Sequence, residues 1–430
     1  MGKLVGDGKQ KIFFRIVSTG LLLGCAYLLV VPEGHGRLQS NDVATRQTIS
    51  TKAPEENEGT QANQISPSSK GLEADNSEQL QETLSSNQQV EESDSLEAIG
   101  IPGDDAKVKG IYVTGPVAGS KEKMDKLVHL VDTTVLNSMV IDIKNDSGEI
   151  TYNMDYRVAS EIGAIKNYVS DMQGLVKRLK ERNIYLIARI VVFKDPILAE
   201  KMPQYSIHKR DGSLFRDRQG LAWVNPYDKE VWKYVLNVAA RAADLGFDEI
   251  QFDYIRFPTE KGLKDADYGA ASTLMNKQEV ITQFTQCMSN FLRKKDVKVS
   301  ADVFGGVISS QVDSELIGQD YVEMADCLDC ISPMIYPSQF AKGCYGVENP
   351  DNSPYDIVYK SLLDSQEKLT GNQNVTVRPW LQDFTASWLS DHIAYNQEEI
   401  KAQIDAVYVS GYDEWILWNA GNNYTVGGIH

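Results

Sequence analysis

The sequence predicts an α/β protein whose folded part is a (β/α)8 TIM barrel, preceded by an N-terminal membrane anchor and a disordered linker. Three observations indicate this organisation. Short apolar, β-branched segments alternate eight times with amphipathic helical segments after residue 107. A basic and then apolar segment opens the chain, and a polar segment without aromatic residues follows it. We therefore divide the chain into residues 1–35, 36–106 and 107–430.

The first segment has the features of a signal anchor or a signal peptide. Three lysines and Arg15 precede an apolar run over residues 16–31. As a helix that run is about 24 Å long, and starting at Ile12 brings it close to the bilayer core of about 30 Å. The positive flank is expected to stay cytoplasmic, which puts the barrel on the extracytoplasmic side of the cell membrane. Residues 22–25 resemble a bacterial lipobox, so a lipid anchor and a cleaved peptide stay open as alternatives.

The second segment, residues 36–106, is predicted to be a disordered acidic spacer. It contains no Phe, Trp, Tyr or Cys, and it carries 14 acidic and 4 basic residues. Such a composition cannot bury enough apolar surface to offset the entropy lost on ordering. Most of the net charge of −17 therefore belongs to the spacer. An acidic chain without a basic face argues against nucleic-acid binding.

The composition predicts neither a metal nor a nucleotide cofactor. The five histidines are far apart in sequence, and no His-x-His or His-Glu-x-x-His motif occurs. Neither a Walker-type phosphate loop nor a Gly-x-Gly-x-x-Gly motif is present. Cys327, Cys330 and Cys344 provide a single C-x-x-C and one further cysteine, which indicates buried thiols or one disulfide rather than a metal site.

Eight strand candidates divide the third segment. They are residues 110–114, 138–144, 184–192, 249–256, 298–304, 330–337, 376–383 and 414–420. Helices fit between them, and one has Asp228 as its N-cap and Gly246 as its stop. An open, doubly wound sheet is the alternative, although eight repeats favour closure. The long connections 193–227 and 338–359 follow the third and sixth strands, at the face where this fold builds its active sites.

Barrel strands alternate between the interior and the helix layer, and this period directs polar side chains inward near the strands' C-terminal ends. Charges inside a barrel are unfavourable unless they are paired or functional. Carboxylates combined with aromatic faces are typical of a sugar site. The candidate substrate-binding residues are Asp142, Lys144, Arg189, Gln251, Tyr336, Trp380, Gln382 and Trp418, with Trp223 and Asn225 on the loop after the third strand and Arg256 and Asp383 as the last residues of the fourth and seventh strand candidates.

Asp253 is the leading catalytic candidate because it lies where the fourth strand should emerge at the catalytic face. Arg256 follows closely enough to keep this carboxylate ionised. In the alternative, non-catalytic interpretation, Asp253 and Arg256 form an ion pair that only fixes the loop. Asp302 on the neighbouring strand is the second candidate, since carboxyls at adjacent strand ends can approach the separations of glycosidase pairs.

Other assignments of the second carboxyl stay open. Asp302 could instead pair structurally with Arg189 or Lys144, and Asp142 and Asp383 are rival carboxyls. The sequence does not distinguish a retaining from an inverting enzyme.

The barrel resembles a glycoside hydrolase family long catalogued as a bacterial domain of unknown function. The matching segments are 140–144 (VIDIK), 223–226 (WVNP), 247–258 (FDEIQFDYIRFP), 300–305 (SADVFG) and 332–337 (SPMIYP). The resemblance implies a TIM barrel that acts on polysaccharide. The chain is also distantly similar to family 18 chitinases, whose catalytic Glu has Ile255 in its place here. Their mechanism therefore does not transfer, although a strand-4 carboxylate at Asp253 does.

Three functional hypotheses follow. The first is an anchored extracytoplasmic hydrolase of cell-wall or exopolysaccharide glycan, with Asp253 as nucleophile or base and Asp302 as general acid. The second is a non-catalytic, surface-tethered barrel that binds glycan without a reactive carboxylate pair. The third is a lyase or aldolase with Lys144 as Schiff-base amine, which lacks support from a phosphate-binding loop after the last strands. The oligomeric state stays open.

Overall fold

The computed structural model describes residues 107–259, 263–372 and 374–429. The predicted anchor (1–35) and linker (36–106) lie outside the described residues. Among the helices of the described part, none combines the length and the apolar character needed to cross a bilayer.

Eight parallel strands form a closed barrel, as the sequence predicts. They are β1 (Lys109–Val113), β2 (Ser138–Lys144), β3 (Tyr185–Val191), β4 (Glu249–Asp253), β5 (Lys298–Phe304), β6 (Cys330–Ile335), β7 (Trp380–Gln382) and β8 (Trp415–Trp418). Each strand pairs in parallel with the next, and β8 pairs with β1. Closure by this last pair excludes the open doubly wound sheet.

Helices surround the barrel. They are α1 (Gly115–Ala118), α2 (Lys121–Thr133), α3 (Arg157–Glu161), α4 (Met172–Lys180), α5 (Pro196–Lys201), α6 (Lys229–Asp244), α7 (Lys277–Leu292), α8 (Gln311–Ile317), α9 (Tyr321–Ala325), α10 (Pro354–Lys368) and α11 (Gln397–Val409). The predicted boundaries of α6 are confirmed. The Asp228 side chain accepts a hydrogen bond from the Glu230 amide, and Gly246 has a left-handed φ of 92° directly after the C-cap Leu245.

Five strands are shorter than predicted, and in two of them, β4 and β7, a local backbone feature explains the difference. β4 ends at Asp253 because Tyr254 has a left-handed φ of 51°, which takes the chain out of extended geometry. The predicted seventh strand is interrupted at Pro379, which has no N–H for the ladder, so it consists of Thr376–Val377 and β7. Both interruptions lie inside segments that read as continuous strands in the sequence.

The long connections build the face at the C-terminal ends of the strands. The loop after β3 contains α5 and a short strand, His208–Lys209. This strand pairs antiparallel with Ala266–Asp267 from the connection after β4, so the two loops are joined. The loop after β6 is shorter than predicted, since α10 begins at Pro354.

A buried ion network lies at the N-terminal ends of the strands. The Nη1 of Arg378 donates to both oxygens of Glu249 at 2.9 and 3.0 Å, and its Nε donates to Glu414 at 2.7 Å. The hydroxyl of Tyr185 donates to Glu249 at 3.1 Å, and that of Ser300 also donates to Glu249. We call these five residues the lower ion network. Apolar side chains, including Val140, Ile187 and Ile416, separate it from the polar groups at the opposite end of the barrel.

Candidate active site

A second cluster of buried polar and aromatic side chains lies inside the barrel, at the C-terminal ends of the strands. We call it the upper polar layer; its members are Tyr112, Asp142, Arg189, Asp253, Asp302, Tyr336, Trp380 and Trp418. Register explains how the acidic members come together. Asp142 lies opposite Arg189, and Asp253 and Asp302 directly follow the registered pair Phe252 and Ala301. Because neighbouring strands are about 4.8 Å apart, the last two carboxyls occupy adjacent positions.

Arg189 binds two of these carboxylates at once. Its Nε and Nη2 both donate to Oδ2 of Asp253, at 3.0 and 2.5 Å, and its Nη1 donates to Asp142 at 2.6 Å. The backbone N–H of Tyr254 donates to the other oxygen of Asp253 at 2.5 Å. Three N–H groups therefore donate to the Asp253 carboxyl, two of them from one guanidinium.

Asp302 has different surroundings. Its Oδ1 accepts a hydrogen bond from Nε1 of Trp380 at 2.7 Å, and no lysine or arginine forms an ion pair with it within the described residues. The side chain is 1% exposed. Burial raises the pKa of Asp302 well above its ordinary value, and the charge of Asp253 adds to the rise against the opposite effects of Arg189 and Trp380. The surroundings of Asp302 therefore favour its protonated form.

Burial and neighbouring charges also set the pKa values of Asp142 and Arg189, the other charged members of the layer. Burial raises the pKa of Asp142, against the lowering effects of Arg189 and the Tyr112 hydroxyl, which donates to it at 2.5 Å. Burial opposes the charge of Arg189, yet Asp253 and Asp142 raise its pKa well above the usual range. The guanidinium thus stays charged and fixes two acidic side chains.

Aromatic rings enclose the layer on one side. Tyr112 stacks on Trp418 with centroids 4.1 Å apart, and the edge of Trp380 meets Trp418 at 5.5 Å. The Arg189 guanidinium lies over the rings of Tyr112 and Trp418 at 5.5 and 5.4 Å. The hydroxyl of Tyr336 makes no hydrogen bond to any described residue, and burial followed by the charges of Asp302 and Asp253 raises its pKa. Tyr336 is therefore a buried member of the layer whose hydroxyl is not used in a hydrogen bond to a described residue.

Arg256 does not hold Asp253 as the sequence predicts; Arg189 does. The Nη1 of Arg256 donates to the carbonyl of Phe257 at 2.9 Å, and its guanidinium lies over the rings of Trp223 and Tyr254. The prediction failed because Arg256 follows the left-handed residue Tyr254, which turns the chain away from the strand. The structural alternative for Asp302 is also wrong, since its hydrogen-bond partner is Trp380 rather than Arg189 or Lys144.

Several predicted substrate-binding residues make contacts within the protein, outside the upper polar layer. A bulge in β2 between Asp142 and Lys144 turns Lys144 aside, and its amine lies 2.9 Å from Asp195 and 2.6 Å from the Val191 carbonyl. This ion pair leaves the Schiff-base hypothesis without structural support. The others bond as follows: Asn225 to the Tyr268 carbonyl, Gln251 to Ser332, Gln382 to Asp351 and the Ser338 amide, and Asp383 to Thr425.

Among the described residues, no group of three or more His, Cys, Asp or Glu side chains is placed to hold a metal ion. Cys327, Cys330 and Cys344 are free thiols, so the structure pairs none of them in a disulfide.

Comparisons with known proteins identify the family. A family model described as "Putative glycosyl hydrolase domain" matches residues 110–424. The chain belongs to this family. A search of the curated proteins finds no match.

Solved structures similar to this glycosyl hydrolase domain include a hypothetical protein from Ruminiclostridium thermocellum, with 36% identity, 45% of this chain and 97% of that chain covered, and a TM-score of 0.41. The glycoside hydrolase domain of PgaB (BpsB) from Bordetella bronchiseptica has 10% identity, covers 73% of this chain and 94% of that chain, and has a TM-score of 0.54. A chitinase from Chromobacterium violaceum has 11% identity, 75% and 97% coverage and a TM-score of 0.43. At 10% identity, the PgaB likeness concerns the fold alone.

Sequence reasoning missed three residues around the site of this glycosyl hydrolase domain. Tyr112 could have been found, because the strand period that selected the other residues also directs it inward. Tyr254 gave no signal, since nothing in the sequence marks its left-handed backbone. Lys194 opens the loop after β3 and lies 4.8 Å from the Tyr254 ring, a contact that only the fold reveals.

The site thus contains two adjacent carboxyls in contrasting surroundings. Asp253 receives three N–H donors, whereas Asp302 is buried with a raised pKa. Two carboxyls in such different surroundings are suited to different roles, one as acid and the other as base or nucleophile. This arrangement is chemically competent for glycosidic bond cleavage.

Proposed function

We propose that the protein is an extracytoplasmic glycoside hydrolase that cleaves a cell-wall or exopolysaccharide glycan. Asp302 acts as general acid, and Asp253 as nucleophile or general base. The observation that carries the proposal is the contrast between the two carboxyls: three N–H groups on Asp253, and a raised pKa with a single indole donor on Asp302. Membership of the glycosyl hydrolase family supports the same reaction class.

The reaction follows from these positions. The carboxyl of Asp302 gives its proton to the glycosidic oxygen as the bond to the anomeric carbon breaks. The carboxylate of Asp253 either bonds to that carbon or removes a proton from an attacking water. Arg189 orients Asp253 through its hydrogen bonds, and Arg189 is in turn held by Asp142.

Substrate access requires movement at the mouth of the barrel. Asp302 is 1% exposed and Asp253 5%, so a sugar unit cannot reach both carboxyls in the conformation described here. The side chain of Phe384, which packs against Tyr336 of the layer, is only half-buried. Its displacement by a bound sugar is part of the proposal.

Asp302→Asn tests the assignment of the acid. We expect the release of new reducing ends from the cleaved polysaccharide to fall by about 10²- to 10⁴-fold, because the amide cannot donate the catalytic proton. Cleavage of nitrophenyl glycosides should fall much less, since their leaving group needs no proton. Wild-type activity should decline as the pH rises through the raised pKa of Asp302, where the acid form is lost, and this decline should be absent in Asp302→Asn.

The full-length wild type, Asp302→Asn and the control Asp125→Asn would be incubated with a panel of bacterial polysaccharides, with thermal melting as the measure of folding. Asp125 is exposed and pairs with Lys121 on the same helix, so its variant should behave as wild type. Equal losses on polysaccharide and nitrophenyl substrates would reject Asp302 as the acid. A melting shift with glycan but no release by the wild type would favour the non-catalytic glycan-binding barrel.

The extracytoplasmic location rests on the basic and apolar segment before residue 36. We expect protease added to intact cells, after the wall is removed, to degrade the barrel while a cytoplasmic marker stays whole. A barrel that is protected until the cells are lysed would contradict the location and leave the proposed chemistry unaffected.

A further inference from the structure

Arg256 is a half-buried cation at the mouth of the barrel without an acidic partner among the described residues. Its guanidinium carbon lies 5.2 Å from the Trp223 ring and 5.3 Å from the Tyr254 ring. Its single hydrogen bond to a described residue runs from Nη1 to the Phe257 carbonyl. The carboxylate nearest in sequence, Asp253, is already bound by Arg189.

The two rings hold this guanidinium in a defined orientation. Stacking on aromatic faces offsets part of the loss of hydration of a half-buried charge. The edge formed by Nε and Nη2 makes no hydrogen bond to a described residue. This edge is the part of an arginine that receives a carboxylate or a phosphate in two parallel bonds.

A second cation lies against the same aromatic ring. The Lys194 amine is 4.8 Å from the Tyr254 centroid, and it is paired with Asp146 at 3.3 Å. The nearby carboxylate of Asp217 accepts hydrogen bonds from the amides of Gln219 and Leu221 and from the Trp223 indole. Asp146 and Asp217, the acidic side chains near the Arg256 stack, therefore already have partners, and neither forms an ion pair with Arg256.

We propose that Arg256 binds an anionic substituent of the glycan, a carboxylate or a phosphate, in a subsite next to Asp253. The inference rests on the proposed function for the identity of the ligand as a glycan. Arg256 is three residues after the proposed nucleophile or base, and the intervening Tyr254 both donates its N–H to Asp253 and stacks on Arg256. An acidic sugar bound by this fork would therefore lie beside the reacting bond.

The test compares the affinities of acidic and neutral oligosaccharides for the full-length protein. The probes are tetragalacturonate for the carboxylate, a short poly(glycerol phosphate) for the phosphate, and the neutral N-acetylglucosamine tetramer, measured by calorimetry at low salt. Arg256→Gln should reduce the ratio of acidic to neutral affinity by about tenfold or more, as expected for the loss of a charged hydrogen-bonding group. Arg256→Lys keeps the charge but not the fork and should reduce the ratio less.

Arg182→Gln is the matched control, because Arg182 is an exposed arginine that pairs with Asp132 away from the upper polar layer. The ratio of acidic to neutral affinity of Arg182→Gln should equal that of the wild type. A preference for one acidic probe identifies the carboxylate or the phosphate as the ligand group. No acidic preference in the wild type, or equal weakening of acidic and neutral binding in Arg256→Gln, would overturn the subsite.

Two further outcomes keep the test decisive. If Arg256→Gln fails to fold, an unchanged ratio in Arg256→Lys overturns the subsite, whereas a reduced ratio supports it. Because affinity and the release of reducing ends are measured separately, a wild type that prefers acidic glycan but cleaves none rejects the hydrolase and retains the subsite. A wild type that cleaves neutral glycan but binds acidic glycan no more tightly supports the hydrolase and rejects the subsite.

Discussion

Asp253→Asn should reduce glycan cleavage by about a thousandfold or more while leaving a folded barrel. The asparagine keeps the size of the side chain and one acceptor oxygen for Arg189, but it lacks the charge needed to attack the anomeric carbon or to activate water. The Tyr254 amide loses a charged acceptor, which costs about 1–3 kcal/mol and lowers the melting temperature by several degrees. Reducing ends released from polysaccharide, together with the melting temperature, measure both effects.

Asp142→Asn is the informative control for this result. Asp142 is also buried and also bound by Arg189, yet it is not assigned a reacting role. Its variant should lose much less activity than Asp253→Asn at a similar change in melting temperature. Equal losses in the two variants would show that disruption of the Arg189 contacts, and not chemistry at Asp253, removes the activity.

The second large effect is expected from Arg189→Met. Removing the guanidinium leaves Asp142 and Asp253 buried without their shared cation, and both side chains are less than a tenth exposed. Breaking a buried ion pair from one side costs about 3–5 kcal/mol. For a domain of this size that corresponds to a fall in melting temperature on the order of 10 °C, which calorimetry or circular dichroism would measure.

Two comparisons separate this effect from a general loss of packing. Arg182→Met removes an exposed ion pair and should change the stability by less than about 1 kcal/mol. Adding Asp142→Asn to Arg189→Met should recover part of the lost stability, because one of the two unpaired carboxyls is then neutral. A double variant that is less stable than Arg189→Met would contradict the electrostatic explanation.

Much of the barrel could be predicted from sequence, because its strands are short apolar runs with turn signals between them. β2 and β5 begin and end where the sequence predicts. The strand period also placed Asp142, Arg189, Asp253 and Asp302 on the inner face. The strand period could not predict which hydrogen-bond or ion-pair partner each of these side chains has.

Partners depend on register and on local backbone geometry, neither of which a single sequence displays. Arg256 is nearest to Asp253 in the chain, but Arg189 reaches it across the sheet from β3. The β2 bulge that turns Lys144 toward Asp195 has no mark in the sequence either. Asp383, just past the end of β7, binds Thr425 close to the C-terminus, a contact between residues 42 positions apart.

The lower ion network has a consequence for how the acid is tuned. Glu249 lies at the opposite end of the barrel from the mouth, where one guanidinium is shared by two carboxylates, and its charge adds to the rise of the Asp302 pKa. A charge in the lower ion network therefore contributes to the titration of the proposed acid, although the two lie at opposite ends of the barrel. Removing the charge of Glu249 would remove one of the influences that raise the pKa of Asp302 without altering the end of the barrel where the sugar is proposed to bind.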